Sequence, residues 1–298
     1  MSLAMSSVWL ITGSSRGIGL ELAKAVLAAG HRLVATARRP EDLAALVEQY
    51  GERVRAVALD VTDPASARAA VQQAVESFGR LDVVVNNAGY GNIASIEEGD
   101  DADFRAQMET NFYGVANVTR AALPVLRTQR SGHIIQISSI GGRVGSPGLA
   151  AYQSAKWAVE GFSEVLSKEV ASLGIKVTIV EPGGFRTDWA GSSMTIHTPG
   201  PDYATSIAPL LEYRASHRPV GDPAKAAQAI LGIAGLDEPP LRLLLGSDAV
   251  HIAGQVHEAR GAMDAKWRHV SLSTDAGDAT EWRGLIDKLD IVKQPVRD

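Results

Sequence analysis

Apolar positions along the chain follow two alternating periods. Short runs that are apolar at nearly every place, beginning with Val8-Trp9-Leu10-Ile11, give way to segments in which apolar residues recur every three or four places. In the first such segment Ile18, Leu22, Ala25, Val26 and Ala29 share one helical face, and Gly30 closes it. The same pattern predicts further strands at Leu33–Ala37, Val54–Leu59, Leu81–Val85, His133–Ser138, Lys176–Glu181 and Leu241–Leu245. It predicts further helices from Asp63-Pro64 to about Phe78, Asp103 to Arg130, Ala151 to Ser172, and Asp222-Pro223 to about Ala234. The fourth strand reads as apolar on both faces, as a central parallel strand must be. This alternation predicts an α/β fold, doubly wound, with a central seven-stranded parallel sheet and helices on both faces.

No repeat or low-complexity linker divides the 298 residues, so a single domain is expected, with its core at about 7–246. Thr187–Gly221 breaks the rhythm and is expected to be a long irregular lid. Residues from about 247 to 298 read as a helical extension.

Candidate chemistry concentrates at the ends of the predicted strands. Thr12-Gly13-Ser14-Ser15-Arg16-Gly17-Ile18-Gly19 joins the first strand to the first helix with glycines spaced G-x-x-x-G-x-G. Small residues there let backbone approach a pyrophosphate, and the helix N-terminus offers N–H groups and a positive dipole end. The second strand ends in Ala37-Arg38-Arg39 with no acid. A carboxylate at that place favours a free ribose 2′-hydroxyl, whereas guanidiniums pair with a 2′-phosphate. Arg16, Arg38 and Arg39 therefore point to NADP(H) over NAD(H). Gly13-Ser14-Ser15-Arg16-Gly17 also satisfies the G-x-S-x-G nucleophile elbow of hydrolases, with Ser15 as nucleophile and His251, His257 or His269 downstream to complete a triad. Against this, the turn follows the first strand, so no earlier strand–helix loop supplies an oxyanion donor.

Tyr152 and Lys156 stand four residues apart in a predicted helix, which puts both on one face. An ammonium beside a phenol favours the phenolate, so Lys156 is expected to lower the pKa of Tyr152 and make it a proton donor near neutrality.

Together these residues resemble the short-chain dehydrogenase/reductase family along most of 7–246. The resemblance is carried by Thr12–Gly19, Asp60-Val61, Asn86-Asn87-Ala88-Gly89, Asn111, Ser139 thirteen residues before Tyr152, Lys156, and Pro182-Gly183 with Thr187. It implies a Rossmann-type fold and hydride transfer between NADP(H) and a carbonyl or secondary alcohol. Ser139 would then hold the substrate oxygen, Tyr152 would be the general acid or base, and Lys156 would also bind the nicotinamide ribose. Asn111 would fix a water chain. Asp60 and Val61 would hold the adenine. Asn87, Ala88 and Gly89 would line the adenosine ribose, and Pro182, Gly183, Phe185 and Thr187 the nicotinamide carboxamide. A homodimer or homotetramer is implied, formed through the helices at 103–130 and 151–172. A non-catalytic sensor that binds NADPH is the alternative of another class; a tuned phenol would be idle in it.

Composition narrows the choice. An apolar fraction of 45% and a net charge of −5 with no basic stripe suit a globular protein that does not bind nucleic acid. Absence of cysteine excludes disulfides and thiolate catalysis. With no apolar run near the ~18 residues of a membrane span and no evident signal peptide, a cytoplasmic enzyme away from membranes is expected. Seven histidines show no metal-binding spacing, and no metal is expected. Trp189, Met194, Ile196 and Tyr203 in the lid, facing Val144, Pro147 and Leu149, suggest an apolar or amphipathic substrate.

Overall fold

The computed structural model describes residues 6–190, 194–277 and 282–289. Seven parallel strands form one sheet: β1 (Val8–Ile11), β2 (Arg32–Ala37), β3 (Val54–Ala58), β4 (Val83–Asn86), β5 (Gly132–Ile137), β6 (Ile175–Pro182) and β7 (Arg242–Leu245). Their order is β3-β2-β1-β4-β5-β6-β7, a Rossmann-like sheet. The helices are α1 (Gly17–Ala28), α2 (Ala44–Tyr50), α3 (Pro64–Phe78), α4 (Asp101–Met108), α5 (Gly114–Gln129), α6 (Ala150–Val170), α7 (Pro201–Ser216), α8 (Pro223–Ala234), α9 (Ser247–Leu272) and α10 (Trp282–Lys288).

Successive strand residues point to opposite faces, so the sheet carries two cores. On one face Trp9, Ile11, Leu33 and Ile135 pack with Leu22 and Val26 of α1 and Ile230 of α8. On the other, Val8, Leu10, Val84 and Ile134 pack with Val71 of α3, Val118 and Leu126 of α5, and Leu166 of α6. The strand order reverses between β1 and β4, and such a switch point opens a crevice at the carboxyl ends of the strands.

Three features differ from the pattern-based expectation. The fourth strand is shifted to Val83–Asn86; Asp82, just before it, still bonds both neighbouring strands through its backbone, and its carboxylate accepts from the Val8 N–H at 2.8 Å. The long central helix is interrupted by a π-helical turn at Glu109–Tyr113. The Thr187–Gly221 segment is not irregular: it holds the sixteen residues of α7. Proline at its start and again at Pro209, with only Ile207 buried, leaves no amphipathic signal to read. The helix α2, with a 3-10 turn at Pro40–Leu43 before it, carried no prediction.

The crevice is stitched by one hydroxyl. Thr12 Oγ1 accepts from the backbone N–H of Asn87 and of Ala88, both at 2.9 Å, and joins the ends of β1 and β4. Thr12 is buried, so Thr12→Val, of nearly equal shape, leaves two donors without an acceptor. A loss of about 1–3 kcal/mol in unfolding free energy is expected by urea denaturation; wild-type stability would show that the stitch is idle.

Candidate active site

The loop after β1 is built to approach an anion closely. Gly13 and Gly17 adopt positive φ (68° and 58°). At Gly19 a Cβ would lie 2.5 Å from Asn87 Nδ2 and also collide with the Gly13 carbonyl. Asn87 Nδ2 donates to the carbonyls of Thr12 (2.9 Å) and Gly13 (3.1 Å), which fixes the loop from the β4 side. Ser14 fixes it from the β2 side: its N–H donates to Thr36 O at 2.8 Å and its Oγ to Ile11 O at 2.8 Å. The first turn of α1 has no side-chain cap and no acidic residue, so the N–H groups of Gly17, Ile18 and Gly19 meet no competing carboxylate. Ser15 and exposed Arg16 complete the turn.

At the end of β2 the two arginines differ. Arg39 is held by Asp42 at 3.1 Å. Arg38 is exposed and makes no ion pair among the described residues. Its charge reaches Tyr90 and counteracts the burial that raises that phenol. Asp60, after β3, accepts from Thr62 N–H (2.9 Å) and Thr62 Oγ1 (2.7 Å). Val61 is buried, packed where a side chain on Gly114 would otherwise stand. Asn117 Nδ2 donates to Val61 O at 3.0 Å, so Asn117 faces inward on α5.

The acid–base candidates meet at the ends of β4, β5 and α6. Ser139 follows β5, and its hydroxyl faces the Tyr152 phenol closely enough to favour the phenolate. It also accepts from the Gly141 N–H at 3.0 Å. Lys156 Nζ lies 5.6 Å from the centre of the Tyr152 ring and donates to Ile137 O at 2.8 Å. The π-helical turn presents Asn111 inward, where it is fully buried and holds Tyr90 through N–H···Oδ1 (3.0 Å) and Nδ2–H···O (2.8 Å) bonds. A Cβ on Gly89 would lie 2.5 Å from Asn111 Oδ1 and 3.7 Å from Lys156 Nζ, so glycine is required where these side chains converge.

Electrostatics here differ from the simple expectation. Burial pushes Tyr152 up to about 12, with the neighbouring Ser139 hydroxyl acting the other way. Burial also pulls Lys156 down to about 8. Desolvation therefore outweighs the pull of the ammonium on the phenol.

Beyond β6, Pro182 ends the strand and Gly183 N–H donates to Leu245 O at 2.8 Å. Phe185 pairs with Gly221 in a short parallel bridge, and Thr187 approaches the first loop, with its side chain 3.5 Å from where a Gly17 Cβ would stand. Asp248, at the start of α9, accepts from the Gly184 N–H at 2.7 Å, and its carboxylate fills the space beside Gly183. Sequence reasoning missed Asp248, although Ser247-Asp248 after a strand is a recognisable helix start. It also gave Ser14 and Asn117 no role. Trp189 places its ring 5.0 Å from that of Tyr152, over Gly91. Ile196 pairs with Ile93, and Leu149 with Ala94, closing the far wall.

The hydrolase triad is not assembled. His251, His257 and His269 are exposed on α9, beside β7, with three strands between β7 and the strand that precedes Ser15. Among the described residues no group of three or more His, Cys, Asp or Glu is placed to hold a metal, and no helix is long and apolar enough to cross a membrane.

Comparison with known proteins agrees with this architecture. Residues 7–195 match the family model described as short chain dehydrogenase. The oxidoreductase BOA17 of Botryotinia fuckeliana is 54% identical over 91% of this chain and 100% of its own length. A short-chain dehydrogenase from Streptomyces avermitilis superposes with a TM-score of 0.85 at 40% identity, covering 92% of this chain and 100% of that one. A short chain dehydrogenase from Burkholderia cenocepacia in complex with NADP has a TM-score of 0.70 at 27% identity, covering 88% of this chain and 97% of that one. With the strand order, the glycine turn and these matches in agreement, the chain belongs to the short-chain dehydrogenase family of oxidoreductases.

Proposed function

We propose that the protein is an NADP(H)-dependent oxidoreductase that interconverts a carbonyl and a secondary alcohol, with Tyr152 as general acid and base. The observation that carries this is the Ser139 hydroxyl set against the Tyr152 phenol with the Lys156 ammonium behind the ring, next to a glycine turn whose first helical N–H groups are open to an anion. When bound, the nicotinamide supplies or takes the hydride. Ser139 donates to the substrate oxygen, and Tyr152, protonated at neutral pH, gives that oxygen its proton. Lys156 holds the nicotinamide ribose and, while charged, stabilises the phenolate left on Tyr152. Asn111 keeps Tyr90 and Gly89 in place and leads a water chain from Lys156 toward solvent.

Cofactor contacts are assigned by the same reading. Gly13, Ser15, Arg16, Gly17, Ile18 and Gly19 cradle the pyrophosphate. Asp60 and Val61 hold the adenine, while Asn87, Ala88 and Gly89 line the adenosine ribose. Pro182, Gly183, Phe185 and Thr187 hold the carboxamide. Arg38 rather than Arg39 receives the 2′-phosphate, since Arg39 already has Asp42. The relative that contains NADP supports the same preference. Apolar Trp189 against the phenol ring, with Ile196 and Leu149 in the far wall, favours an apolar or amphipathic substrate. Exposed Tyr113, Trp157 and Val165 on the π-turn and α6 support a homodimer or homotetramer. The whole chain is read as one domain, with 187–221 as its lid and 247–298 as an extension, working in the cytoplasm.

Three outcomes test this. Tyr152→Phe keeps NADPH affinity and lowers carbonyl-dependent NADPH oxidation by about 10²–10⁴-fold; near-normal turnover would reject the mechanism. Arg38→Ala removes one charge-assisted contact of about 1.5–3 kcal/mol, so the NADPH Kd rises about 10- to 100-fold while that for NADH stays. Equal losses for both would remove the 2′-phosphate assignment.

The third concerns pH. Lys156 titrates near 8, so its charge is present below that pH and is lost above it. The kcat/KM for NADPH, which reports the free enzyme, should therefore fall as pH rises past about 8. A profile flat to well above that pH would contradict it. For stability the sign is opposite. The unfolded chain keeps the proton up to the ordinary lysine range, so the penalty for burying charged Lys156 is full below about 8 and eases above it.

A further inference from the structure

Beneath the site lies a second, partly buried cluster of charge, with Glu160 and Glu181 buried and Arg143, Arg242 and Glu164 reaching toward solvent. Arg143 follows the 3-10 turn Ile140–Gly142 that carries Ser139. It donates from Nε and Nη2 to the two carboxylate oxygens of Glu181, both at 2.6 Å. Glu181 is fully buried at the end of β6, immediately before Pro182-Gly183. Arg242 of β7 donates to Glu164 at 2.8 Å, lies 3.4 Å from Glu181 and pairs with buried Glu160. Glu160 and Glu164 continue, at four-residue intervals, the face of α6 that presents Tyr152 and Lys156. The turn is pressed onto this face: a Cβ on Gly142 would lie 2.8 Å from the Glu160 side chain and 2.9 Å from Ser138 Oγ.

We propose that Arg143 is a positioning residue: its fork on Glu181, shared through Arg242 with α6, sets the Ser139 turn in register with Tyr152 and with the strand end before Pro182-Gly183. The inference rests on the oxidoreductase reading given above. Three elements that each carry part of the site are joined by two guanidiniums and three carboxylates. Stability alone does not explain such a cluster. Replacing a buried ion pair by apolar side chains is often neutral or stabilising, whereas removing one partner leaves a costly buried charge. A bidentate arginine–carboxylate pair does fix distance and plane, which apolar packing does not. Tight placement matters at this point, because Ser139 must meet the same oxygen as Tyr152. The extension touches the same turn: Arg260 of α9 donates to Arg143 O at 2.6 Å while stacking over Trp157 at 4.8 Å.

The test is the full-length double variant Arg143→Met/Glu181→Met, which removes one charge of each sign, with Arg143→Lys beside it. Thermal melting, NADPH affinity by fluorescence, hydrogen–deuterium exchange of residues 138–149 and 182–189, and NADPH oxidation with an α-diketone probe are measured. Expected are near wild-type melting and affinity, faster exchange in both segments, and kcat lower by about 10- to 100-fold. Arg143→Lys, which folds with its charge in place, should lose less but still lose activity, since an ammonium is a point charge and not a fork. Wild-type kcat in either variant, or unchanged exchange in the double variant, overturns the proposal. If the wild-type protein does not oxidise NADPH in the presence of the carbonyl probe, the oxidoreductase reading fails separately, and the exchange rates alone decide the clamp.

Discussion

The site depends on keeping an ammonium charged where little water reaches it. Lys156 is 4% exposed, and burial draws it down to about 8, so at neutrality it still holds its proton. An isolated buried ammonium would shift further or expel itself to solvent. What holds it is a backbone carbonyl, Ile137 O, at the end of β5. That strand is central, paired on both sides, so the acceptor cannot move away. The convergence of Gly89, Asn111 and Lys156 follows from the same demand. A π-helical turn and a side chain-free residue are both needed to bring a buried amide and a buried amine side by side.

Burial moves the two members of the pair in opposite directions, and in the proposed function this decides how the chemistry starts. Desolvation penalises whichever form is charged, so the phenol rises to about 12 while the amine falls. A phenol held protonated is a donor by default. It yields its proton only when something in the crevice stabilises the anion left behind. The Ser139 hydroxyl already acts in that sense. The lysine alone does not overcome the cost of burial. In the proposed function, reduction is therefore the direction for which the free site is prepared, and a positive charge brought by an oxidised cofactor prepares the reverse.

Much of this was legible in the sequence, and the failures share a physical cause. Parallel strands buried on both faces announce themselves as apolar runs, and the Asp63-Pro64 and Asp222-Pro223 caps announce two helix starts, where each carboxylate accepts from the N–H groups that follow. The glycine turn and the Tyr152–Lys156 spacing depend only on local geometry, so they too could be read. What depends on tertiary environment could not. The sign of the Tyr152 shift needs its burial, Arg39 needs its partner Asp42, and Asn117 needs to be seen facing Val61. The helix α7 hid because it buries only Ile207 and so has almost no apolar stripe. It is held instead by polar contacts at its start, where Glu98 accepts from Gly200 N–H at 3.0 Å and Glu97 bonds Tyr203.

The two charge clusters on α6 do different physical work along one ruler. Tyr152 and Lys156 sit at its open end, each with its charged form disfavoured by burial. Glu160 and Glu164 sit one and two turns further in, both paired with Arg242. A helix is stiff over four turns, and whatever fixes its inner half fixes the aim of its outer half. The inner cluster is where β6, β7 and the Ser139 turn all meet α6. Placing the compensated charges there and the uncompensated ones toward the crevice lets the chain confine proton mobility to the groups that face substrate. An apolar core at the inner position would hold the helix against the sheet as strongly, but it would leave the helix free to rotate or slide by fractions of an ångström. In the clamp proposed above, two guanidiniums on three carboxylates remove that freedom and keep the Ser139 hydroxyl in register with the Tyr152 phenol.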